Sequence, residues 1–167
     1  MATLQTLETQ WHKGEQEMHR MLRVPERDNP TSPFLTPYAA NLLVRCPLLA
    51  LGTIDSEGRP WTSLWGGEQG FARAISQEII GIQATIDMTY DPVAEVLFDG
   101  SADRELIRPD GKGKMVGGLA IDLEARKRVK LYGRMAVGAL ISTEEGVGEA
   151  QLAVKIEQTL GMSHISD

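Results

Sequence analysis

Pro47-Leu48-Leu49-Ala50-Leu51-Gly52-Thr53-Ile54-Asp55-Ser56-Glu57-Gly58-Arg59-Pro60-Trp61-Thr62-Ser63 reads as an apolar run, a polar turn ending in glycine, and a second run that alternates two kinds of side chain. Two β-prone runs around a polar loop that contains glycine predict a hairpin. In its second arm Trp61, Ser63 and Trp65 share one face and Thr62 and Leu64 the other, because strand side chains alternate. Gly66-Gly67 ends the arm and permits close approach of a ligand to the backbone. A face of indole, hydroxyl and indole suits a flat heteroaromatic ligand, through stacking and a hydrogen bond. It also suits the filling of a small barrel core.

Further strands are predicted after this hairpin. Runs at 70–75 and 79–84 follow the first hairpin, and 90–98 suits a short helix over one end of a sheet. Residues 99–114 are polar and rich in Gly, Asp and Lys, and read as a loop. A second hairpin runs from Val116 to Leu123, turns at Glu124-Ala125, and returns from Arg126 to Met135, with Ala136–Ile141 continuing it. Ser142-x-x-Glu145 fits a capping box opening a tail helix, with Leu152, Ala153, Ile156 and Leu160 on one stripe. Ahead of the strands, Leu7, Trp11, Met18, Met21 and Leu22 predict an amphipathic helix over 6–23. A connector with four prolines and a helix from Thr36-Pro37 to about Arg45 follow it. The organisation expected is a helical lead-in and connector (1–46) and a β-rich body with a C-terminal helix (47–167), as one domain.

Composition narrows the function classes. At 167 residues and 42% hydrophobic, the chain can bury one core of its own. A net charge of −6 disfavours nucleic acid or an anionic membrane surface as the main partner. No apolar run approaches the roughly 20 residues that span a bilayer. The start, Met1-Ala2-Thr3-Leu4-Gln5, lacks the basic and apolar blocks of a secretory signal, and the single Cys46 fits a reducing compartment, so a cytoplasmic location is expected. Cys46 itself, between Arg45 and Pro47, reads as a small buried apolar residue rather than a reactive thiol.

Charge patterning supplies the second candidate site. Arg126, Arg128, Lys130 and Arg134 recur at even spacing and project to one side of a regular strand. Such a row suits a phosphate monoester, or a solvated face balanced by Asp122 and Glu124 across the hairpin. His12, His19 and His164 come with no Cys, Asp or Glu cluster that completes a metal site, so no metal ligand is assigned. Neither a nucleophile elbow nor a dinucleotide glycine fingerprint occurs, and Lys112-Gly113-Lys114 lacks the context of a phosphate loop.

From Trp11 to about Leu160 the chain resembles the pyridoxamine 5′-phosphate oxidase-like, FMN-binding split-barrel family. The resemblance is carried by Trp11-His12-x-Gly14-Glu15-x-x-Met18-His19, Asn29-Pro30-Thr31 and the Leu48–Ser63 hairpin. It continues with Gly66-Gly67-Glu68-x-Gly70-Phe71 and with Gly118-Leu119-Ala120-Ile121-Asp122-Leu123 running into Arg126–Arg134. It implies a mainly β, six-stranded split barrel with flanking helices, acting as a homodimer with one FMN in each groove at the subunit interface. It further implies that the Trp61–Trp65 strand (Trp61, Thr62, Ser63, Leu64, Trp65) lies along the flavin and that Arg128 and Lys130 hold the phosphate. Thr85 is implied to belong to the same cofactor site; many members carry a base for the phosphate soon after the strand ending near Ala84, and here Thr85–Asp91 offers two acids, Asp87 and Asp91, and no base.

The activity implied is an FMN-dependent oxidoreductase acting on a small molecule. The flavin would carry the hydride chemistry, so no catalytic side chain is assigned. Two other readings stay open: a ligand-binding or interaction domain that keeps the fold without flavin, and a haem-handling barrel using His12, His19 or His164. Longer proteins of this type continue past the tail into a reductase-like module. The chain is therefore expected to be a free-standing relative or a piece of a longer redox protein, with a reductase either as a separate partner or as a fused module in longer relatives.

Overall fold

The computed structural model describes residues 11–26 and 29–162. Its chain order is α1 (Lys13–Leu22), β1 (Thr31–Ser32), α2 (Pro37–Arg45), β2 (Leu48–Ile54), β3 (Pro60–Gly66), β4 (Ala72–Ala74), β5 (Ile79–Asp87), α3 (Pro92–Phe98), β6 (Met115–Asp122), β7 (Lys127–Glu144) and β8 (Val147–Met162). Each paired strand runs antiparallel to its neighbour, and the strands join into one sheet in the order β3-β2-β6-β7-β8-β5-β4, with β1 added beside β8. The expected barrel is thus realised as an open sheet of eight strands rather than six. Its edge strands β3 and β4 do not pair with each other.

The first hairpin forms as the sequence predicts, with Leu48 opposite Gly66 and Ile54 opposite Pro60. Asp55 closes its turn by accepting from the backbone N–H of Glu57 and Arg59. Leu49, Leu51, Trp65, Ala120, Val129 and Leu131 alternate inward from successive strands and form the core. Helix α2, capped by the Thr36 hydroxyl, adds Leu42 and Leu43 to it, and α3 adds Leu97. Cys46 ends α2 as a buried residue, and burial pushes its thiol pKa up, as an inert packing role requires.

The predicted tail helix is instead β8, sixteen residues long. Glu144 pairs with Val147, so Glu145-Gly146 is a two-residue turn, and Gly146 supplies the positive φ (+75°) that such turns favour. Ala150, Leu152, Val154 and Ile156 are buried at period two, an alternation that the helical stripe through Leu152, Ile156 and Leu160 also contains in part. Pairing on both sides, with β7 and β5, decides between the two.

At the other end α1 starts after His12. Its Nδ1 accepts from the Gly14 N–H, while Glu15 accepts from the His12 N–H. Residues 6–10 of the expected helix lie outside the described residues. Helix α1 buries none of its residues.

Candidate functional site

Strand β3 divides the sequence-predicted site between the two faces of the sheet. Trp61, Ser63 and Trp65 turn inward and meet carboxylates of the chain. The Trp65 indole, 1% exposed, donates to Asp91 Oδ2 at 2.8 Å, and the Ser63 hydroxyl donates to Asp91 Oδ1 at 2.8 Å. The same Oδ1 also accepts from the backbone N–H of Val93 and Ala94 and so caps α3. Trp61 donates its indole N–H to Asp55 Oδ2 at 2.9 Å, beside the Arg59 guanidinium, which lies 5.9 Å from the indole ring. The Trp61 hydrogen bond, with others from Arg59 and Glu57, holds the Asp55 carboxyl well below the usual carboxylate range. All three polar tips of the indole–hydroxyl–indole face are therefore occupied within the chain. Ser63 and Trp65 fasten the hairpin to α3 through Asp91, and Trp65 is the core filling that the sequence left open as an alternative, whereas Trp61 stays exposed and bonds within its own hairpin turn.

Thr62 and Leu64 point the other way, onto the solvent face, where Leu64 is 65% exposed. The register carries that face across four strands in two rows. One runs Leu64, Ala50, Leu119, Lys130 and on to Leu160; the next runs Thr62, Gly52, Gly117, Tyr132. Gly52 and Gly117 pair directly, and a Cβ added to Gly117 would meet no atom closer than 3.9 Å, so the second row is a shallow trough floored by backbone. Three strand spacings, about 14 Å, separate Thr62 and Leu64 from Lys130. Arg128 lies on the same face as Lys130, opposite Ile121.

The four evenly spaced cations do not all stand together. Arg126 lies in the turn with φ 54°, ahead of the strand that begins at Lys127. Arg134 is committed to Glu157, to the Tyr132 hydroxyl and to the Gly113 carbonyl. Arg128 and Lys130 remain exposed on the open face.

Thr85 belongs to another place. It pairs with Glu149 and lines a cavity of about 430 Å³ with Gly66, Gly67, Glu68 and Gln83. Packing alone already restricts the two glycines: a Cβ on Gly67 would fall 2.7 Å from Phe71, and one on Gly66 2.8 Å from Leu48 and 3.0 Å from the Pro47 carbonyl. Glu68 and Glu149 make this cavity acidic and no base lines it, so it does not suit a phosphate.

Sequence reasoning missed Asp91 and Asp55, the carboxylates that organise the inner face. Asp91-Pro92 repeats the cap-then-proline pattern read at Thr36-Pro37, and that signal was available. His12 is used as a helix cap and His19 packs edge-on against Trp11 at 4.7 Å; His164 lies outside the described residues. Among the described residues no group of three or more His, Cys, Asp or Glu is placed to hold a metal ion. No helix among them is long and apolar enough to cross a membrane.

No family model and no curated protein matches the chain. Among solved structures, HupZ of Group A Streptococcus superposes with a TM-score of 0.50 at 12% identity, over 77% of this chain and 94% of that one. A histidine-to-alanine variant of HupZ gives the same score at 13% identity, over 77% of this chain and 99% of that one. The likeness is one of fold. The chain is a mainly β protein of the split-barrel type. An F420 reductase (TM-score 0.44, 11% identity, 71% of this chain and 93% of that one) also matches. So does an FAD and haem binding protein from Mycobacterium smegmatis (0.43, 12%, 83% and 77%).

Proposed function

We propose that the chain binds FMN on the solvent face of β3-β2-β6-β7 and acts as a flavin-dependent oxidoreductase on a small molecule. One observation carries the reading: Thr62 and Leu64 share a continuous face with Arg128 and Lys130, across the Gly52–Gly117 trough. A planar ring can lie close to a glycine floor, flanked by Leu64, Ala50 and Leu119, while a terminal phosphate reaches the cations of β7. The trough is open above. Its apolar flank, with Leu64 and Ile121 exposed, suits cover by a second copy of the chain, making the active form a homodimer. Bound flavin would supply the hydride transfer. The residues of this chain would orient the ring, neutralise the phosphate and exclude water.

Titration with FMN, FAD and riboflavin tests the reading. FMN should bind tightest, because the cations reward a terminal phosphate and the trough offers nothing for an adenosine. Equal affinity for riboflavin and FMN would remove the phosphate site.

A further inference from the structure

We infer that the cleft between the first hairpin and α3 is a second binding site, for an organic cation: an amine carried on a short apolar or aromatic body. The cleft encloses about 570 Å³, within the range of small-ligand sites, between Trp61 on the hairpin, Glu95 on α3 and Asp99 at its C-cap. Trp61 lies on the opposite face of β3 from Thr62 and Leu64, so the cleft is separate from the proposed flavin face, and the inference does not depend on flavin being bound.

The partners of each lining group decide the ligand's charge. Both cations on the wall are committed. Arg59 is paired with Asp55 at 2.7 Å and with Glu57 at 3.0 Å, and the Lys114 ammonium donates to the carbonyls of Val96 (2.6 Å) and Leu97 (3.2 Å). An anion would have to compete with those contacts. The carboxylates of Glu95 and Asp99 are the opposite case: they stand one helical turn apart and carry no hydrogen bond or ion pair among the described residues. A divalent metal would want a third ligand of the same kind, and none is placed there.

The rest of the wall favours an organic body over a bare ion. Trp61 is 39% exposed, its N–H is spent on Asp55 and the Arg59 guanidinium stands 5.9 Å from its ring, so what it offers a ligand is the remaining exposed π surface, which attracts cations. Ile54, Pro92 and Val96 add apolar wall beside it. Asp55 fixes the indole edge, so the site is built before a ligand arrives.

Benzylamine, with benzyl alcohol as its neutral counterpart, is the probe. In the ¹⁵N-labelled full chain, benzylamine should shift the Trp61 indole signal saturably, with the alcohol at least about tenfold weaker. The combined variant Glu95→Gln, Asp99→Asn removes two exposed charges and should keep the parent's melting temperature while losing about tenfold in benzylamine affinity. Equal binding of amine and alcohol, no saturable shift by the parent protein, or unchanged affinity in a variant that melts like the parent would each overturn the inference. Because no flavin is added, these outcomes are independent of the FMN titration.

Discussion

Replacing Asp91 by alanine tests the division of β3 into a structural inner face and a ligand-facing outer one. Four donors converge on this carboxylate: the Trp65 indole, the Ser63 hydroxyl and the N–H groups of Val93 and Ala94. Removing it deletes an N-cap, worth about 0.5–2 kcal/mol. It also strands the indole N–H of a tryptophan that is 1% exposed, which costs about 1–3 kcal/mol because water cannot replace the lost acceptor. Ser63 is only half-buried and its hydroxyl can rotate toward solvent, so it adds little. The expected loss is about 3 kcal/mol, which in a domain of this size lowers the melting temperature by roughly 6–12 °C.

Urea unfolding followed by tryptophan fluorescence reads this directly. Asp91→Asn refines the test. Its amide can keep an oxygen toward the cap or toward Trp65, but not both, so it should fall between the parent and the alanine variant. Stability of Asp91→Ala within 0.5 kcal/mol of the parent, together with altered flavin affinity, would refute the assignment. It would return Ser63 and Trp65 to the ligand.

Other outcomes follow from the same geometry. Lys130→Ala should weaken FMN binding by roughly ten- to a hundredfold, from a charge-assisted hydrogen bond of about 1.5–3 kcal/mol, and leave riboflavin binding unchanged; unchanged FMN titrations would end the phosphate assignment. Light scattering at micromolar concentration should report a dimer, and a monomer there would leave the trough uncovered. Asp55, with a folded-state pKa held below its ordinary value near 3.8, binds fewer protons folded than unfolded, so its stabilisation is complete above that value and is lost as pH falls beneath it. Asp55→Asn should therefore flatten the acid limb of a stability–pH profile measured between about pH 5 and 2, and an identical limb would show that the turn contributes nothing there.

Local chemistry made most of the fold legible. The β2–β3 hairpin, the proline-opened helices and the β6–β7 hairpin depend on turn residues and caps within a few positions of each other. The tail depended on partners far away. Leu152, Ile156 and Leu160 satisfy a helical stripe, and only pairing with β5 and β7 selects the strand. The candidate site was legible by half: alternation separates Thr62 and Leu64 from Trp61, Ser63 and Trp65, but cannot say which set faces the core. That choice rests on Asp55 and Asp91, and Asp91 lies twenty-eight residues from Ser63.

The way β3 resolves its two faces bears on how a ligand could use it. Indoles attract attention in a sequence because they stack well, but an indole whose N–H is buried on a carboxylate is held in place and cannot turn to follow a ligand. The outer row has the reverse character. Thr62 and Leu64 are exposed, Gly52 and Gly117 place no side chain between Thr62 and β7, and the Lys130 ammonium makes no hydrogen bond or ion pair among the described residues. A rigid inner face behind a solvent-facing outer one suits the ligand site proposed above: the tryptophan hydrogen bonds to Asp55 and Asp91 hold the strand on which Thr62 and Leu64 stand. Loss of Asp91 should accordingly impair ligand binding only in proportion to the unfolding it causes. Loss of Lys130 should impair it in a chain that remains fully folded.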